Sequence, residues 1–194
     1  MLAVLLSCIP GHSRSERTDT LNRINPRESH ARVALSTNLV DYIYLLTPNI
    51  EAQLSVSRSV TLHAKAKYNA WSFNYGGSNE VKNRQQTYAV GARWWPWYTY
   101  SEWYLGGAAQ YQEYDRGGIF RSDSEAGTAV GLVVLGGYNL HINRFMNIDF
   151  GLGFWGGMTN YTLYDCPYCG KKIEDGRKWF FLPDEARIAL QFVF

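Results

Sequence analysis

The sequence predicts an all-β protein, a single antiparallel up-and-down transmembrane β-barrel of about eight strands. Three observations carry that expectation. Apolar and polar residues alternate over runs of about ten residues, the length a tilted strand needs to cross a hydrocarbon layer. The composition suits a sheet with apolar and wet boundaries: 15% aromatic, with 14 Tyr, 7 Trp and 18 Gly. Short connections alternate with long polar ones, as turns on one side of a membrane alternate with loops on the other.

A length of 194 residues fits one domain, and 46% hydrophobic residues are enough for a large buried or lipid-facing surface without any run long enough for a transmembrane helix. The formal charge of +2 comes from 19 basic and 17 acidic residues spread along the chain, so no nucleic-acid partner is expected. Residues 1–30 are expected to be a signal-peptide remnant and linker, and residues 31–194 the barrel. Met1 to Pro10 is a short apolar stretch followed by a polar segment to Arg32, the pattern of an export signal that lacks its basic start. Cleavage after Ser13 or Ser15 and lipidation of Cys8 in Leu5-Leu6-Ser7-Cys8 are both compatible with it; an apolar N-terminal strand is the structural alternative.

The strands follow in order. The first spans Arg32 to Val40. The second sets Ile50, Ala52, Leu54 and Val56 against Glu51, Gln53 and Ser55, and the third sets Val60, Leu62, Ala64, Ala66 and Tyr68 against Thr61, His63, Lys65, Lys67 and Asn69. Thr87 to Trp95, Trp103 to Tyr114 and Thr128 to Leu140 supply three more, the last apolar on both faces. Ile148, Phe150, Leu152 and Phe154 then oppose Asn147, Asp149, Gly151 and Gly153. The final strand, Glu185 to Phe194, places Ala186, Ile188, Leu190, Phe192 and Phe194 on one face. Its terminal Phe194 has the form of an assembly signal read by barrel-assembly machinery. Short links fall near Ser57 to Ser59, Tyr98 to Ser101 and His141 to Arg144. Long polar loops are expected over Asn74 to Gln86, Asp115 to Ala126 and Asn160 to Leu182, and Thr47-Pro48-Asn49 makes one further short link. An even strand number leaves both termini on the short-turn side, the periplasm of an outer-membrane protein.

An eight-stranded barrel is filled by its own side chains. The alternation turns Glu51, Lys65, Lys67, Arg93, Asp149 and Arg187 inward, and buried charges must pair or stay wet, so a luminal charge network is expected. A narrow ion path through that lumen is the alternative, and a soluble lipocalin-like barrel with an apolar ligand inside is another. Trp94, Trp95, Trp97, Tyr98, Tyr100 and Trp103 cluster around a short turn, where an aromatic girdle would lie in contact with outer-membrane lipids; hairpin core packing or stacking of a sugar or base by these rings are the competing readings.

A catalytic set does not assemble from the sequence. His12 and His30 precede the barrel, His141 sits at a short turn and His63 faces inward, so no histidine falls in a long loop. Asp115, Asp123, Glu125, Asp165, Glu174 and Asp175 lack calcium-loop spacing. A non-enzymatic protein without a cofactor is expected, with its loops as an interaction surface. Cys166-Pro167-Tyr168-Cys169-Gly170 admits three readings: a local disulfide, which fits an exported chain; half of a zinc site shared between chains; and a redox pair, for which the surrounding βαβ pattern is missing.

The segments Val33 to Leu39, Thr47-Pro48-Asn49, Tyr68-Asn69-Ala70-Trp71, and Tyr164 to Gly170 with Lys178 to Pro183 and the closing strand resemble a small outer-membrane barrel family of Bacteroidetes, catalogued as a domain of unknown function, over nearly the whole barrel. Leu182-Pro183 and Phe194 are slight departures from its pattern. The resemblance implies the barrel fold and an outer-membrane location, and association with fimbrial or other surface proteins; it implies no activity.

Overall fold

The computed structural model describes residues 33–43, 46–70, 72–74, 80–117, 124–165 and 171–194. Among these residues nine strands and one short helix follow in the order β1 (Val33–Asn38), α1 (Leu39–Ile43), β2 (Asn49–Ser57), β3 (Val60–Asn69), β4 (Ser72–Asn74), β5 (Glu80–Trp94), β6 (Glu102–Gly117), β7 (Ser124–His141), β8 (Met146–Tyr164) and β9 (Lys172–Val193). All pairings are antiparallel: β1 to β3 and β4 to β9 pair in chain order, β3 pairs with β5, and β1 pairs with β9 to close the ring. Both β3 and β4 pair along β5, so they are two pieces of one wall strand and the wall has eight.

The ring is strongly staggered. Stepping from partner to partner, Leu35 leads through Ala52, Ala64, Val90, Ala109, Leu132 and Gly156 to Phe181, whereas the β9 partner of Leu35 itself is Phe192. Such a shear tilts the strands and curves the wall tightly. At Gly91 an added Cβ would run into Gly107 O and lie 2.6 Å from the Ala108 Cα, so only glycine fits on the inside of that bend.

The distribution of side chains is inverted relative to a water-soluble core. Among the described residues, buried polar and charged side chains outnumber buried apolar ones, and the large apolar residues line the outer face. Val90, Leu105, Leu132, Leu152 and Phe192 are all exposed there. On β8 the outward run from Ile148 to Met158 covers about 33 Å of strand, or about 25 Å of height at a tilt of about 40°. Outward aromatic rings bound the belt: Trp94, Trp103, Phe145 and Phe194 at the short-turn end, and Tyr68, Tyr88, Tyr111 and Trp179 at the far end.

The three long loops expected from sequence are largely sheet. β5 begins at Glu80, β6 runs to Gly117, β7 starts at Ser124, β8 continues to Tyr164 and β9 starts at Lys172; the β5–β6, β6–β7 and β7–β8 ladders run in register, and β8–β9 shifts at Gly153/Phe154 and Leu163/Tyr164. Beyond the belt both faces of a strand are polar, so the apolar alternation vanishes while the backbone ladder goes on. The first strand is correspondingly shorter than expected, ending at Asn38, because Leu39 to Ile43 turn into α1.

The early end of β1 leaves β9 with one neighbour above Ala189. Asn38 covers the start of this edge. Its side chain accepts from Ile188 N at 3.1 Å and donates to Ala186 O at 3.3 Å, the bonds a further β1 peptide would have made. A bulge follows, and then Pro183, which has no N–H and is tolerated only where a strand has a free side. α1 spans the gap, with Asp41 2.9 Å from Lys67 on β3. Replacing Asn38 with alanine is therefore expected to lower unfolding stability by about 1–3 kcal/mol through unsatisfied backbone groups. An unchanged denaturant midpoint for Asn38→Ala would show that the edge needs no cover.

Candidate functional site

Alternation on β2, β5, β8 and β9 turns Glu51, Arg93, Asp149 and Arg187 into the lumen, and four walls meet there. Arg187 is the hub. Its Nη1 and Nη2 form a fork on Glu51 at 2.9 and 3.0 Å, its Nε donates to Asp149 Oδ2 at 2.6 Å, and Nη2 also reaches Ser36 Oγ at 3.1 Å. Arg93 Nη2 lies 2.7 Å from Glu51, and Arg93 Nη1 lies 3.5 Å from Asp149. Tyr104 donates its hydroxyl to Asp149 Oδ1 at 2.7 Å and lays its ring under the Arg93 guanidinium at 4.9 Å. Gln53 donates to Glu51 at 2.7 Å.

The network continues toward the far end through Glu185, 3.3 Å from Arg187 and 2.6 Å from Lys65. Lys65 also lies 3.6 Å from Asp184, which accepts from Gln110 at 2.8 Å. Lys67 stands apart and pairs with Asp41 of α1. Glu185, Asp184 and Tyr104 join the network beyond the charges expected from the sequence: Glu185 lies two residues before Arg187 on the same face, Asp184 sits at the bulge, where parity breaks, and Tyr104 faces inward next to outward Trp103.

Below these charges lies a floor of amides and rings. Asn139 donates to Gln191 at 2.6 Å, and Asn147 donates to Gln191 at 3.4 Å and to Tyr100 O at 3.1 Å. Trp95 and Tyr100 belong here, not in the girdle. Trp95 is 0% exposed and donates to Thr61 Oγ1 at 3.1 Å, with Tyr104 at 4.9 Å and Tyr100 at 6.0 Å between ring centroids. Period-two geometry demands this, since Trp94 outward forces Trp95 inward, while the turn folds Tyr100 back beneath the lumen. Trp94, Trp97 and Trp103 do face outward, and Tyr98 stacks under Arg58 at 4.6 Å. Above the charges, Ala89, Ala108, Ala129, Val133 and Trp155 make a small apolar core, with Phe180 edge-on to Trp155 at 4.6 Å.

Such an arrangement pairs the luminal charges across the walls and fills the lumen with side chains. A small space beside the network, about 10 Å³, has room for about one water. Among the described residues, no group of three or more His, Cys, Asp or Glu side chains is placed to hold a metal ion. Cys8, Cys166 and Cys169 lie outside the described residues. Phe194 is exposed at the barrel rim and its N–H donates to Val33 O at 2.9 Å.

The far extension has its own polar cluster. Glu125 accepts from Tyr114 at 2.8 Å and from Lys178 at 2.9 Å, and Lys178 sits over the Tyr161 ring at 4.3 Å. Burial pushes the Tyr114 hydroxyl up to about 12. Burial alone would also raise the Glu125 carboxyl, but its bonds from Lys178 and Tyr114 outweigh that and hold it below the usual carboxylate range. A depressed folded-state value contributes stability above the unfolded value of about 4.3 and loses it as pH falls through the folded one. Acid is thus expected to loosen this cluster, followed by NMR at Lys178 and Glu125, and Glu125→Gln to remove the response; an unchanged acid response in that variant would locate it elsewhere.

Fold and lumen together define a closed eight-stranded barrel with an ionic plug. A family model described as a protein of unknown function, DUF3575, matches residues 19–194, and the chain belongs to that family. No curated protein and no solved structure matches it.

Proposed function

We propose that the chain is a non-enzymatic outer-membrane β-barrel, an anchor whose far-end strand extensions form an interaction surface for another surface protein. The carrying observation is the inverted burial: charges packed within the ring, and an apolar belt about 25 Å tall between two aromatic levels outside. In this reading the short turns and both ends of the barrel face the periplasm, the outward aromatic rings contact lipid headgroups, and Phe194 is presented to the assembly machinery. The extended hairpins of β5 to β9, rather than irregular loops, carry the partner surface.

Membrane fractionation with cold and boiled gel mobility tests the anchor. The expected result is an outer-membrane fraction with heat-modifiable migration and cleavage of the β8–β9 connection by external protease. A detergent-free soluble protein would overturn it.

A second reading, a narrow conductance, draws on the continuous line of luminal charge from Arg93 to Asp184. Glu51, Asp149 and Arg187 are buried and paired across the lumen, so conduction would require the Arg187 hub to open. Silent single-channel recordings for both the natural chain and Arg187→Ala would remove this reading. A lipocalin-like apolar ligand has no such support, because the interior carries charges where that ligand would sit.

A further inference from the structure

The small cavity in the plug is unusual in its lining. Three residues on adjacent wall strands, His63 on β3, Arg93 on β5 and Gln110 on β6, border it, and each is almost wholly buried. Each also carries a polar atom with no hydrogen-bond partner among the described residues: His63 Nδ1, Arg93 Nε and Gln110 Oε1. The other polar groups of Arg93 and Gln110 are committed, to Glu51 and Asp149 and to Asp184 respectively. A buried donor or acceptor left unmatched is costly, and three around one cavity call for a common solution.

We infer that this cavity is a binding site for ordered water, held by His63, Arg93 and Gln110 within the ionic plug. The chemistry selects the ligand. Arg93 Nε can only donate and Gln110 Oε1 can only accept, while the His63 ring nitrogen does either according to tautomer. A monatomic cation would meet a guanidinium N–H, and a monatomic anion would meet an amide oxygen; water donates and accepts at once. The size agrees, since about 10 Å³ is about one water by the same measure. The apolar part of the lining, Ala89, Ala108, Val133 and Leu135, offers water nothing and confines it to the polar side. The site makes the plug a hydrated structure rather than a dry salt-bridge cluster, and it holds whether lipid or water surrounds the outer face, so it is independent of the membrane reading.

The test is a high-resolution crystal structure of the full chain in detergent, with parallel crystals under xenon pressure or soaked in bromide. The expected result is a density peak about 2.7–3.2 Å from at least two of the three atoms, unchanged by bromide and without xenon uptake. Gln110→Leu is expected to weaken or abolish that peak while the ion pairs remain. Water-to-protein NOEs at the His63 ring in the natural chain provide the same readout where that variant does not fold. Xenon in the cavity, bromide replacing the peak, or a cavity without density or NOE would each overturn the inference.

Discussion

Arg187→Ala is expected to cost about 3–5 kcal/mol of unfolding free energy, the scale for removing one partner of a buried ion pair. The reason is the arrangement around it. Arg187 touches three carboxylates, on Glu51, Asp149 and Glu185, and alanine would leave all three with fewer cations in a buried lumen. Lys65 and Arg93 remain to neutralise Glu185, Glu51 and Asp149 in part, so the loss falls short of three independent ones. Lysine restores the charge but not the fork on Glu51, so Arg187→Lys should recover only part of the stability. Urea unfolding followed by cold gel mobility measures both. The buried pairs need not stabilise the fold more than apolar residues of equal volume would; what matters is that four walls share one cation, so breaking the hub uncouples them. A midpoint for Arg187→Ala equal to that of the natural chain would mean that the network is solvated in place and closes nothing.

Leu152→Arg carries the second large effect, and its sign depends on what surrounds the barrel. Leu152 lies on the outer face of β8, 65% exposed, between Ile148 and Met158 near mid-belt. In a bilayer an arginine there costs about 2–4 kcal/mol, falling toward zero near the aromatic levels. In water, exchanging an exposed leucine for arginine changes stability by about 0.5 kcal/mol or less. Refolding into lipid vesicles, with Arg placed in turn at Leu152 and at Phe194, should therefore show a steep loss at the first and a small one at the second. Equal effects at both positions would argue against a membrane belt.

How much of this was legible in the sequence follows from where its signal arises. The wall was legible because lipid-type apolar residues alternate with small or charged ones: Val60 to Tyr68 and Ala186 to Phe194 read directly as outward faces, and the same alternation put Glu51, Arg93, Asp149 and Arg187 into one lumen. It could not say which of them meet, since pairing across the ring depends on shear; Lys67 therefore joins Asp41 on α1 instead of the hub. Trp95 was misplaced by weighing composition over parity, for a run of rings looks like a girdle until alternate members are turned inward. The strand extensions have the sequence character of loops because sheet pairing between polar faces leaves no hydrophobic period. Asn38 ending β1 gave no sequence signal distinct from a strand residue; its meaning lies in the β9 edge it covers.

The proposed membrane anchor requires an outer face in hydrocarbon and a sealed inner face. Single nitroxide labels placed in turn at Leu105, Tyr104, Ala109, Ala108, Tyr111 and Gln110, in cysteine-free protein reconstituted in lipid vesicles, test it directly through collision with oxygen and with a polar nickel complex. High oxygen and low nickel accessibility are expected at Leu105 and Ala109, restricted access to both probes at Tyr104, Ala108 and Gln110, and rising nickel access at Tyr111. Nickel access at Leu105 and Ala109 as high as at the far-end extensions would contradict it.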